Sequence, residues 1–161
     1  MAIPAMDENL KHLLSALNAH DIRYLIIGDY AVFMHGQPRM TKDFDVFIES
    51  SPTNALALYQ ALAAFGAPLS DSTIQDFADG KTGARFGNAP ICFDIRQKMD
   101  GIDFQTAYAN SVPFIIDGDL PARYISADDF ITNKLASGRL QDLADVEAVR
   151  NRRRVLKEGT S

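Results

Sequence analysis

The chain has 161 residues, 47% of them apolar and 23% charged, with a net charge of −5. That is the profile of a folded soluble protein with room for a core, and it argues against a surface that binds nucleic acid all over. No apolar run approaches the roughly 20 residues needed to cross a membrane. The start, MAIPAMDENLKHLL, lacks the basic and apolar stretches of a secretory signal, and the single cysteine, Cys92, excludes an internal disulfide. A cytoplasmic location is expected.

Asp7 to Ala19 places Leu10, Leu13, Leu14 and Leu17 at i, i+3, i+4 and i+7, which predicts an amphipathic helix. Arg23 to Ile27 is too apolar for an exposed strand and is expected to be central in a sheet. Gly28 closes that run, and Tyr30 to His35 has the character of one or two helical turns stopped at Gly36. Asp43 to Glu49 reads as the next strand. Ser51 and Pro52 then form a strong helix start, and the helix continues to Phe65 with Leu56, Tyr59, Leu62 and Ala63 as its expected apolar stripe.

A weaker helical stretch is expected around Ile74–Phe77, followed by a hairpin of Arg85-Phe86 with Ile91–Arg96. Asp103 to Asn110 reads as a short helix, and Val112–Ile116 and Ala122–Ile125 flank a turn at Asp117-Gly118-Asp119. Ser126 and Asp129 resemble a capping box opening a helix to Ser137, and after Gly138 a last helix runs from Leu140 to about Val155. The basic residues Arg150, Arg152, Arg153, Arg154 and Lys157 crowd that end, as expected of a solvated helix C-terminus. The predicted fold class is α/β (α+β), a small mixed sheet with flanking helices in one domain over 1–161: an N-terminal helix in 1–20, a sheet-containing core in 21–125 and C-terminal helices in 126–161.

The chemistry concentrates in the strand from Asp43. Alternate residues of a strand share a face, so Asp43 and Asp45 point the same way, about 6–7 Å apart along the strand. Asp94 lies on a candidate neighbouring strand between Phe93 and Ile95, a costly place for an ionised group. Carboxylates gathered there repel by roughly 3 kcal/mol per pair at an effective dielectric near 20. Magnesium or manganese, bound by carboxylate oxygens, offsets that repulsion; the plainer account pairs Asp94 with Arg96 or Arg39. Gly28, ending an apolar strand before a helix, lets a phosphate approach backbone N–H groups. Arg39 is in reach of a phosphate or of a nearby carboxylate.

A strand followed by Gly28 and a short helix, then Arg39-x-Thr41-x-Asp43-x-Asp45, then Asp94 on a later strand, resembles the nucleotidyltransferase superfamily (DNA polymerase β-like), and within it the AbiEii-type and related small bacterial enzymes. The helical segment around Lys134, followed by Arg139, Asp142 and Asp145, is similar to a later segment of those enzymes. The resemblance implies transfer of a nucleoside monophosphate from an NTP to an RNA end, a protein or a small molecule. It implies metal ions on Asp43, Asp45 and Asp94, a triphosphate cradled at Gly28, and Lys134 as a second nucleotide contact. Arg139, Asp142 and Asp145 would line the cleft; alternatively the two aspartates pair with Arg139 and Lys134. A toxin role with an antitoxin partner is plausible by analogy alone.

Position 29 departs from that pattern, because active members usually carry Gly or Ser there and this chain has Asp29. A carboxylate at a helix N-terminus caps the helix, whereas beside bound phosphates it repels them. Three roles stay open for Asp29: a cap turned away, a member of the metal site, or the mark of a catalytically degenerate binding module. His35 is expected to be a helix-end residue rather than a base.

Overall fold

The computed structural model describes residues 7–28, 30–31, 35, 43–87 and 92–159, and among these the named elements are six strands and five α-helices. In chain order they are α1 (Glu8–Ala19), β1 (Tyr24–Ile27), β2 (Asp43–Ile48), α2 (Pro52–Phe65), a 3₁₀ turn (Ile74–Phe77), β3 (Ala84–Phe86), β4 (Cys92–Arg96), α3 (Phe104–Ala109), β5 (Val112–Ile116), β6 (Leu120–Tyr124), α4 (Ala127–Ser137) and α5 (Leu140–Gly159). Gly28, Tyr30 and Ala31 lie on a helical turn directly after β1. The expected stop at Gly36 lies outside the described residues.

The sheet is mixed, in the order β3-β4-β2-β1-β6-β5. β1 runs antiparallel to β2 and parallel to β6, and β2 runs parallel to β4. β3–β4 and β5–β6 are antiparallel pairs. All four residues of β1 are buried, as its apolar run demands of an interior strand.

Strand alternation divides the core in two. Tyr24, Ile26, Phe44, Val46, Ile48, Phe93 and Ile95 meet the leucine stripe of α1 and the inner face of α2. Leu25, Ile27 and Phe47 on the opposite face meet Phe104, Phe130, Ile131, Val146 and Val149 from α3, α4 and α5. Helices therefore cover both faces of the sheet.

Local signals set the helix ends. Asp7 accepts the amides of Asn9 (2.9 Å) and Leu10 (3.4 Å), and Ser51 accepts that of Asn54 (3.1 Å). Gly66 and Gly138 end α2 and α4 in the left-handed conformation. Ser126 accepts the Asp129 amide, while the reciprocal capping box occurs at Thr73 and Asp76, on the 3₁₀ turn.

The stripe of α2 differs from expectation. Ala55, Leu58, Ala61 and Leu62 are buried, and Leu56 is 45% exposed. The helix is apolar on several sides, so periodicity leaves its rotation ambiguous. Asn54 resolves it. Its buried amide accepts from the Arg23 N–H (2.8 Å) and donates to the carbonyls of Arg23 (3.2 Å) and Glu49 (2.9 Å), joining the start of α2 to β1 and β2.

Candidate active site

The register of three strands assembles the site. Ile27 pairs with Asp45 across β1 and β2, and Asp45 pairs with Asp94 across β2 and β4. Residues opposite one another in adjacent strands point to the same side about 5 Å apart. This is the side covered by α3–α5, but the apolar cover stops at Phe47; Asp45, two residues earlier, faces a cleft. Gly28 closes one end of that cleft. Its φ is +70°, and a Cβ built there would lie 2.2 Å from Asp45 Oδ2. The backbone and the Asp45 carboxylate thus touch through a space that only glycine leaves open.

Asp94 is 8% exposed, and a cation offsets its charge. Arg85 stands directly across from it in the β3–β4 register and donates from Nη1 to both carboxylate oxygens, at 2.9 and 3.1 Å. Among the described residues the partner is therefore Arg85 rather than the Arg96 that the sequence suggested; Arg39, the other candidate, lies outside them.

The cleft has a volume of about 470 Å³. Ile27, Gly28 and Asp45 meet Arg96, Lys98 and Asp100 on one side and Asn133, Lys134, Ser137 and Arg139 on the other. Asp142 is buried behind the α4 wall, accepting from Ser137 (2.5 Å) and Arg139 (2.7 Å) with Lys134 Nζ at 3.2 Å. Burial alone would raise its pKa. Those three donors outweigh burial and hold the carboxyl down at about 2. Asp145, also buried, accepts from Gln141. Another hollow of about 450 Å³, beside Tyr24, Tyr108, Phe114 and Pro121, has no carboxylate among the described residues of its walls.

Asp29, Arg39 and the side chain of Asp43 lie outside the described part of the chain, where Asp43 appears as backbone paired with Cys92. Asp45, Gly28, Lys134 and Arg139 come together at the cleft, with Asp142 and Asp145 behind it. Among the described residues no group of three acidic, histidine or cysteine side chains is arranged to hold a metal ion. The donor chemistry nevertheless suits a hard divalent cation: Asp45 and Asp94 are opposed oxygen donors, and Gly28 keeps the Asp45 carboxylate close to the backbone. His35 Nε2 lies 2.9 Å from the Ile125 carbonyl, and burial, the largest influence, lowers its pKa.

Compared with known proteins, residues 2–155 match the model of a family described as nucleotidyltransferase of unknown function (DUF6036). The chain belongs to this nucleotidyltransferase family. The nucleotidyltransferase is similar in structure to the lincosamide antibiotic adenylyltransferase LnuA, solved with lincomycin bound. The TM-score is 0.56 at 14% identity, over 92% of this chain and 98% of that one. At that identity the likeness is one of fold. No curated protein matches the chain in sequence. Among the described residues no helix is long and apolar enough to cross a membrane.

Sequence reasoning missed three basic residues of this nucleotidyltransferase: Arg85, and Arg96 and Lys98 as cleft residues. A signal for two of them was present. Asp94, Arg96 and Lys98 alternate with Ile95 and Gln97, so they follow the strand period onto the carboxylate face. Arg85 depends on the hairpin register, which the sequence leaves ambiguous.

Proposed function

We propose that the chain is a metal-dependent nucleotidyltransferase that moves a nucleoside monophosphate from an NTP to an acceptor. The observation that carries this reading is the opposition of Asp45 and Asp94 on parallel strands, beside Gly28 and a cleft with basic walls. Asp43, Asp45 and Asp94 would hold Mg²⁺ or Mn²⁺; alternation along β2 gives position 43 the face of position 45. Such ions, when bound, neutralise charge on the reacting phosphates.

The chain's own residues supply the rest. Gly28 leaves the helical turn after β1 open to the triphosphate. Arg96, Lys98, Lys134 and Arg139 attract its negative charge into the cleft, with Arg39 as a further contact. An acceptor oxygen attacks the α-phosphorus, pyrophosphate leaves, and Asp94 is the group suited to take the acceptor's proton. Basic walls favour an acceptor that itself carries phosphate, such as an RNA end, over a cationic small molecule. A toxin role with an antitoxin partner, drawn by analogy alone, would fit an essential RNA as that acceptor.

Labelled NTPs, Mg²⁺ and candidate acceptors test the reading, with the wild type compared against Asp43→Ala plus Asp45→Ala. Metal-dependent transfer that the double variant loses is the expected result. Absence of NTP binding by calorimetry, with and without metal, would leave the degenerate binding module suggested by Asp29.

A further inference from the structure

Asp94 has a cationic partner within the chain. Arg85 opposes it in the β3–β4 register and reaches both of its oxygens. The two sides of the pair are unequal. The Arg85 side chain is 56% exposed and that of Asp94 only 11%. A guanidinium largely in water can leave at little desolvation cost, whereas a carboxylate nearly out of water cannot remain uncompensated. β3 is a three-residue strand at the edge of the sheet, and among the described residues no further strand lies beyond it.

We infer that Arg85 is a resident counter-ion that competes with a divalent cation for Asp94, so that a cation shared by Asp94 and Asp45 binds only as the guanidinium swings out. The inference rests on the metal-dependent reading above and adds a residue to it. Arg85 acts through Asp94 as a positioning residue. It stabilises the empty fold, raises the cation concentration needed to load the site, and sits at the sheet's open edge where an incoming anionic substrate could draw it away.

The test uses Mn²⁺ with the full chain, counting bound ion by electron paramagnetic resonance and following thermal unfolding with and without the ion. Arg85→Ala is expected to melt lower than wild type without Mn²⁺, bind Mn²⁺ at least tenfold more tightly, and regain the lost melting temperature when Mn²⁺ is added. Adding Asp94→Asn should abolish the gain. Arg85→Gln, which keeps a polar side chain of useful length, gives the same comparison if the alanine variant does not fold. Unchanged or weaker Mn²⁺ binding in both variants, or a melting loss that Mn²⁺ does not recover, overturns the inference and leaves Arg85 as a structural ion pair. If wild type binds Mn²⁺ and NTP normally, that failure touches Arg85 alone; if neither wild type nor variants bind either ligand, the metal-dependent reading falls with it.

Discussion

Gly28 is where backbone conformation and chemistry meet most closely. An L-residue at a φ of +70° costs about 1–2 kcal/mol, and a Cβ there would in addition strike the Asp45 carboxylate. Gly28→Ala should therefore lower stability by about 1–2 kcal/mol and weaken NTP binding by a larger factor than that loss explains. Denaturant unfolding paired with NTP calorimetry on the same samples measures both. NTP affinity equal to wild type would show that the triphosphate does not pass over this residue. Gly28 and Asp45 were both legible in the sequence as candidate site residues. Their contact was not, because it depends on the β1–β2 register.

Between elements, Asp142, the third residue of α5, ties that helix to Lys134 on α4 and to Arg139 between the helices. Its carboxyl is held at about 2 against an ordinary value near 3.8. A depressed carboxylate stabilises the fold above its unfolded pKa, and that stability is lost as pH falls through the folded one. The α4–α5 unit should thus lose about 2 kcal/mol between pH about 4 and pH about 2. Asp142→Asn should flatten that part of an acid-unfolding curve and lower stability at neutral pH, where Lys134 loses its partner. An acid limb identical to wild type would place the relevant ionisation elsewhere. The helix boundaries were readable from caps and glycines. The rotation of α2 was not, since the Asn54 hydrogen bonds that set it run to β1 and β2.

Across the whole molecule, a chain of net charge −5 presents a cleft whose described charged residues are Arg96, Lys98, Lys134 and Arg139 against Asp45 and Asp100. Local sign, rather than net charge, governs what enters. Lys134 and Arg139 are already engaged by Asp142, so Arg96 and Lys98 carry most of the attraction for an anion. Arg96→Ala with Lys98→Ala is expected to weaken NTP binding about tenfold, corresponding to about 1.4 kcal/mol, and to flatten its dependence on salt between low and physiological ionic strength. Titrations at two salt concentrations decide it. Equal salt slopes in both proteins would remove these residues from the nucleotide site.

Local regularities of the sequence determined the elements and the approximate inventory of the site. The 3.6-residue and two-residue periods, the caps and the turn glycines are short-range signals, and the aspartates on β2 and β4 announce themselves by standing in apolar strands. Only tertiary structure decided which groups meet. Strand register set Asp45 opposite Asp94 and put Arg85, rather than Arg96, on the latter; helix packing buried Asp142 behind Lys134. Pairing energies of that kind depend on distances of a few ångströms between residues far apart in the chain, and a linear pattern does not contain those distances.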